Sequence, residues 1–101
     1  MTDTPNAPDK NGKTPIYGAA YNGHTEVVKI LAPLTDNPND PDKFGVTPIF
    51  LTAMNGYTEI VNILAPLTVN PNAPNKNGVT PIHVAKDIEI LRILQSFVTS
   101  A

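Results

Sequence analysis

Thr14-Pro15-Ile16, Thr47-Pro48-Ile49 and Thr80-Pro81-Ile82 recur at equal intervals of 33 residues. Two equal intervals make the chain one unit repeated rather than one irregular globule. A repeated unit stacks, because each copy buries against its neighbours the apolar face it cannot bury alone, and a stack works by offering a surface. The triplet also carries local structure. A threonine hydroxyl suits an N-cap, and proline suits the first helical position, where its missing N–H would have been an orphan. Isoleucine then opens an apolar stripe, so each mark reads as a helix start.

The middle unit is the clearest. The pattern predicts a helix from Pro48 to about Asn55, with Ile49 and the small Ala53 facing inward. Gly56 ends it, as a residue that tolerates positive φ. Thr58-Glu59 opens a second helix, with Glu59 at the positive end of its dipole. Ile60, Val61, Ile63, Leu64 and Leu67 form its stripe at a period near 3.6. Pro66 falls in the last turn and closes it. From Val69 to Gly78 run turn formers, predicting a protruding turn before the next Thr-Pro. The first unit matches almost letter for letter: Asn22-Gly23-His24-Thr25-Glu26-Val27-Val28 aligns with Asn55-Gly56-Tyr57-Thr58-Glu59-Ile60-Val61. Ile30-Leu31-Ala32-Pro33-Leu34-Thr35 likewise aligns with Ile63-Leu64-Ala65-Pro66-Leu67-Thr68.

This pattern resembles the ankyrin repeat, whose unit of 33 residues carries a Thr-Pro-Leu-His-x-Ala signature. Here the signature reads Thr14-Pro15-Ile16-Tyr17-Gly18-Ala19, Thr47-Pro48-Ile49-Phe50-Leu51-Thr52 and Thr80-Pro81-Ile82-His83-Val84-Ala85. The resemblance covers essentially the whole chain. It implies an all-α repeat, a solenoid of helix-turn-helix units joined by protruding β-turns, in a single domain. The expected division is a partial leading connector and turn over 1–13, repeat 1 over 14–46, repeat 2 over 47–79 and a truncated repeat 3 over 80–101. The third unit alone keeps the family histidine, as His83. Tyr17 and Phe50 replace it, which leaves open the hydrogen bond that this histidine makes to a neighbouring turn.

Two irregularities stand against the ruler. The third unit lacks three residues around the inter-helix turn, including its glycine, and Asp87 is expected to cap the second helix there. Its stripe survives as Ile90, Leu91, Ile93 and Leu94, with Phe97 at the place of Leu34 and Leu67. The start lies in mid-unit: Thr2-Asp3-Thr4-Pro5 aligns with Thr35-Asp36-Asn37-Pro38, the connector after a helix pair. The expectation is an excised or engineered array, or a fragment of a longer one, with modest stability and fraying ends.

Composition narrows the function. The chain has 101 residues, 41% hydrophobic and 16% charged, so one domain with a core is the limit. Its eleven prolines are mostly in phase with the repeat, and phased proline punctuates structure rather than signalling disorder. A net charge of −2 and a pI near 5.5 argue against nucleic acid, which needs a basic face. No apolar run is long enough to span a bilayer, no secretory leader is visible at Met1, and no Asn-x-Ser/Thr sequon occurs. With no cysteine, disulfide and thiolate chemistry is excluded. The expectation is an intracellular protein, cytoplasmic or nuclear.

Catalytic and cofactor chemistry finds no footing. Gly12-Lys13-Thr14 looks like the tail of a phosphate-binding loop, but the required earlier glycine is Ala7 and Pro15 follows at once. The preferred reading is a turn lysine before an N-cap threonine. The only serines are Ser96 and Ser100, and no triad assembles around them. His24 and His83 occupy different parts of different units, which does not suit a metal. Glu26, Glu59 and Glu89 recur at helix starts, as dipole complementarity predicts. No enzyme activity, cofactor, metal, small-molecule substrate, nucleic acid or membrane is expected, and the chain is expected to be a monomer.

The resemblance implies a protein partner on the concave side, formed by the turn tips and the first helices. Carried over by position, the tips are Lys10, Asn11 and Lys13; Lys43, Phe44 and Val46; Lys76, Asn77 and Val79. The adjoining inner-helix positions are Tyr21 with Asn22 and Met54 with Asn55. Phe44, Val46 and Met54 are apolar where the scaffold needs nothing apolar, which is how an interface is marked. The alternative is that Phe44 folds back over its own turn. Lys10, Lys43 and Lys76 line up as a positive ridge that could meet an acidic partner, or are solvated turn lysines. Two other functions are weighed: a structural array or scaffold without a native ligand, and a substrate of an asparaginyl hydroxylase. For the latter the resemblance implies Asn39 and Asn72, each with a leucine eight residues before it, Leu31 and Leu64.

Overall fold

The computed structural model describes residues 4–98, so the readings that touch Met1, Thr2, Asp3 and Ser100 lie outside the described residues. Six α-helices follow in chain order: α1 (Pro15–Tyr21), α2 (Thr25–Leu31), α3 (Pro48–Asn55), α4 (Thr58–Leu64), α5 (Pro81–Val84) and α6 (Ile88–Gln95). Each Thr-Pro-Ile mark starts a helix in the same way. Thr14, Thr47 and Thr80 sit in extended backbone, proline follows, and the hydroxyl accepts the amide N–H of Tyr17, Phe50 or His83. The start of α3 shows full accounting of its orphan donors. Pro48 has none, Ile49 donates to Asn39 Oδ1 at 2.9 Å, Phe50 donates to Thr47 Oγ1 at 3.0 Å, and Leu51 donates to the Thr47 carbonyl.

The helix ends follow the chemistry expected of them. Gly56 takes φ 78° and closes α3. The outer helices α2 and α4 begin without a side-chain cap, and Glu26 and Glu59 stand in their first turns. In the third unit the glycine turn is gone, so α5 is a single turn and Asp87 accepts the Ile90 amide at 2.9 Å to start α6. The Lys86 amide reaches back to the Ala53 carbonyl at 3.0 Å, and its side chain lies across Gly56.

The helices pack in two rows. α1, α3 and α5 form the inner row, and α2, α4 and α6 the outer row. Between them lies one core of fully buried residues that includes Ile16, Ile49, Ile60, Val61, Leu64, Ile90 and Leu94. Burying side chains of this size stabilises by about 1.5–3 kcal/mol each. The stripe expected on the second helices needs one correction. Leu34 and Leu67 lie not in α2 and α4 but in the 3₁₀ turns Ala32–Leu34 and Ala65–Leu67, and they are more than half exposed. Pro33 and Pro66 tighten the chain there, which rotates the following leucine off the buried stripe. Phe97, at the same register position, is 39% exposed.

The connectors rise into three hairpin-like tips. Asp9, Asp42 and Asn75 each donate their amide to the carbonyl four residues on, that of Lys13, Val46 and Val79, at 2.9 Å. Neighbouring tips are joined through the backbone: Lys43 N donates to the Asn11 carbonyl at 2.9 Å, and Lys76 N to the Phe44 carbonyl at 3.0 Å. Among the described residues no helix is long and apolar enough to cross a membrane.

Candidate functional site

Each tip is built around one side chain. Asp9 Oδ1 accepts the amides of Asn11 and Lys13, Asp42 Oδ1 those of Phe44 and Val46, and Asn75 Oδ1 those of Asn77 and Val79. The lengths run from 2.8 to 3.0 Å. These bonds turn the tip backbone inward onto its own carboxylate or amide, so the side chains between are presented outward. The Lys13 and Asn11 amides hold the Asp9 carboxyl below the ordinary aspartate value.

The middle tip is also tied to α1. The Tyr17 hydroxyl donates to Asp42 Oδ2 at 2.7 Å. Burial pushes the Asp42 carboxyl up, but the Tyr17 hydroxyl, the Val46 and Phe44 amides and the charge of Lys13 together outweigh it and leave it below the ordinary value. Burial, and then the bond to Asp42, push the Tyr17 phenol well above its ordinary range.

The sequence-predicted positions lie in the tips and in α1 and α3, Asn22 just past the end of α1. Lys10, Lys13, Lys43, Phe44, Lys76 and Asn77 are exposed, and Asn11, Val46 and Val79 are half-buried. Phe44 is 60% exposed, with Lys43 Nζ 5.3 Å from its ring centroid, so the ring stands out from the tip rather than folding under it. Tyr21 and Met54, at 54% and 43%, sit near the C-terminal ends of α1 and α3. Roughly 10 Å of α3 therefore lies between Phe44 and Met54. They are two exposed apolar points, separated by a helix length.

One residue of α1 was not among the sequence candidates. Gly18 stands where the next units carry Leu51 and Val84, and apart from its chain neighbours and its own helix backbone nothing lies within 4 Å of where its Cβ would be. A depression of about 330 Å³ results, lined by Asp9, Lys13, Thr14, Tyr17, Gly18 and Tyr21. The signal was present in the register of the repeat, where a small residue replaces a large one. The tip-building Asp9, Asp42 and Asn75 were equally legible as a set recurring every 33 residues. A larger depression, of about 430 Å³, lies between the connectors and is lined by Asp36, Asn39, Leu67 and Val69 among others. Asp36 is the only ionisable residue among those that line it.

The family model for ankyrin repeats, in three copies, matches residues 2–72 and 32–98. The chain belongs to the ankyrin-repeat family. No curated protein matches it. Ankyrin repeats generally mediate binding between proteins and are typically not catalysts. The bond that the family histidine makes to a neighbouring turn, left open above, is made in the first ankyrin unit by Tyr17. In the second, Phe50 has no polar atom to offer, and the tip residue is Asn75 in place of an aspartate. In the third, His83 turns back on its own helix start, its Nδ1 accepting the Thr80 amide at 3.0 Å. Thr14, the end of the Gly12-Lys13-Thr14 run, caps α1, and the Lys13 ammonium lies 5.6 Å from the centre of the Tyr17 ring. Of the two asparagines weighed for hydroxylation, Asn39 is 4% exposed and its Oδ1 is engaged by Ile49. Asn72 is half-buried and its amide donates to the Leu94 carbonyl at 3.0 Å.

Proposed function

We propose that this ankyrin-repeat protein is a non-catalytic interaction module whose protein partner docks on the concave face formed by the tips and the inner helices. The observation that carries the reading is the exposure of Phe44, Tyr21 and Met54 on that face. Large apolar groups at a surface add nothing to the fold and gain free energy only when a partner covers them. The tip backbone supports the same reading, because its amides are held by Asp9, Asp42 and Asn75, so side chains are free to make contacts. The residues proposed to meet the partner are Lys10, Asn11, Lys13, Tyr21, Lys43, Phe44, Val46, Met54, Lys76, Asn77 and Val79.

The test is the double variant Phe44→Ala/Met54→Ala in a capture experiment with a bona fide partner, with helicity monitored by circular dichroism. Neither side chain belongs to the core, so the variant is expected to fold with a stability change within about 0.5 kcal/mol. Affinity is expected to fall by tenfold or more, as when interface anchors are truncated. Undiminished capture by the folded variant would remove the reading.

A further inference from the structure

We infer that the partner segment is acidic and seats one apolar side chain in the depression over Gly18; this rests on the docking reading above and narrows it to a class of ligand. Two independent observations meet there, one of shape and one of charge.

The shape comes from a missing side chain. In α3 the equivalent residue, Leu51, is 7% exposed and fills its place, whereas α1 leaves that place empty. The ring of Tyr21 forms an exposed wall, and the ring of Tyr17 forms another, with Lys13 Nζ 5.6 Å from its centroid. Aromatic walls around an open floor accept an aliphatic or aromatic side chain. Asp9 is among the residues that line the depression. It disfavours an acidic group inside the depression, so the seated residue is apolar and the acids lie to either side of it.

The charge comes from how the acids of this chain are spent. Four of its seven cations, Lys10, Lys13, Lys43 and Lys76, stand at the tips. Among the described residues none of the four is in a salt bridge, whereas Lys29 on the outer row bridges Glu26 and Glu59, both at 3.3 Å. The two tip carboxylates are committed within the fold. Asp9 Oδ1 and Asp42 Oδ1 each hold two amides, and Asp42 Oδ2 holds the Tyr17 hydroxyl. Glu26, Glu59 and Glu89 stand in the first turns of the outer helices, and Asp36 and Asp40 in the first connector. A chain of net charge −2 therefore gathers four lysines at its tips, outside any salt bridge among the described residues, and one of them, Lys13, lines the depression. The complementary ligand carries acidic residues, and its attraction weakens as salt screens it.

The experiment is fluorescence anisotropy with three labelled peptides: a leucine flanked on both sides by Asp and Glu, the same peptide with alanine for leucine, and the same with Asn and Gln for the acids. The wild-type chain is expected to bind the first roughly tenfold more tightly than either other. Gly18→Leu, which copies the second unit, is expected to abolish the preference for leucine over alanine while helicity is retained. Gly18→Val, which copies the third unit, carries the same test should the leucine variant fail to fold. Lys10→Gln/Lys43→Gln/Lys76→Gln is expected to abolish the preference for acids over amides, together with its salt dependence. Equal binding of all three peptides, no binding of any, or a leucine preference untouched in a folded Gly18 variant would each overturn the inference. If Phe44→Ala/Met54→Ala still abolishes capture of a protein partner in that event, the docking face stands and only this assignment of its ligand fails.

Discussion

The Tyr17 hydroxyl donates to Asp42 Oδ2 at 2.7 Å, across 25 residues of chain, and so fastens the first inner helix to the tip that leads into α3. Both side chains are buried, at 5% and 8% exposure. A hydrogen bond to a charged group contributes about 1.5–3 kcal/mol. Tyr17→Phe is expected to cost an amount in or just below that range. The repeat supplies a natural counterpart, with Phe50 at the register of Tyr17 and Asn75 at that of Asp42. The double variant Tyr17→Phe/Asp42→Asn should therefore cost less than the sum of its singles, with a coupling of about 1 kcal/mol or more. Urea unfolding of the four proteins of the cycle measures this, and strictly additive losses would show that the bond contributes nothing.

The same pair limits the stable pH range from both sides. Asp42 has a folded pKa below its ordinary 3.8, so its contribution is present above that value and is lost as pH falls through the lowered one. Tyr17 has a folded pKa above its ordinary 10.0, so its contribution is complete below pH 10 and is lost as pH rises towards the raised one. The midpoint of thermal unfolding should accordingly be flat near neutrality and fall below about pH 4 and above about pH 10. In Tyr17→Phe the alkaline fall should shrink. An alkaline limb of unchanged size in that variant would assign the loss to other groups.

Thr47 is 3% exposed and caps the longest inner helix. Thr47→Ala is expected to destabilise by about 1 kcal/mol, and Thr47→Ser, which keeps the acceptor, by much less. Thermal or urea unfolding distinguishes the two. Equal losses in both would mean that packing of the threonine methyl, and not the cap, is what counts.

Gly18 and Gly23 should respond in opposite directions to the same substitution. Gly23 has φ 72°, and a Cβ there would stand 2.9 Å from the Tyr57 ring. Gly23→Ala is expected to cost about 1–2 kcal/mol for the left-handed backbone, and more where the ring has to shift. Gly18 lies within α1 and its Cβ would meet nothing. Gly18→Ala is expected to stabilise by about 0.5–1 kcal/mol, through helix propensity alone. Loss of stability in Gly18→Ala would mean that the open floor is filled by something the fold requires.

Much of the fold was legible beforehand because its signals are local. Thr47, Pro48 and Gly56 delimit α3 within a single span of ten residues, and hydroxyl capping, proline φ and glycine φ act over three or four residues. Asp87 took over the start of α6 for the same reason. Leu67 was misplaced because a 3.6-residue stripe assumes that the helix continues, and Pro66 changes the winding beneath it. Phe44 and Met54 were legible as apolar residues without a scaffold role, since a repeat shows which positions the scaffold needs. Gly18 is not legible in the same way, because a missing side chain leaves a gap only where its register equivalents are filled.

By itself, the amino-acid sequence determined the period, the starts of the six helices and the alignment of the tips, because each depends on backbone chemistry within a few residues. The tertiary structure alone decided which equivalent positions are covered. Val27 and Ile60 share a register, yet Val27 is 43% exposed and Ile60 fully buried. Burial in a stack depends on whether a neighbour lies against that side, and α4 has α2 beside it, whereas that side of α2 is the outer end of the described stack. Tertiary structure likewise decided that Tyr17 would find Asp42, because a side-chain hydrogen bond across 25 residues exists only once the stacking of the units has set the distance between them.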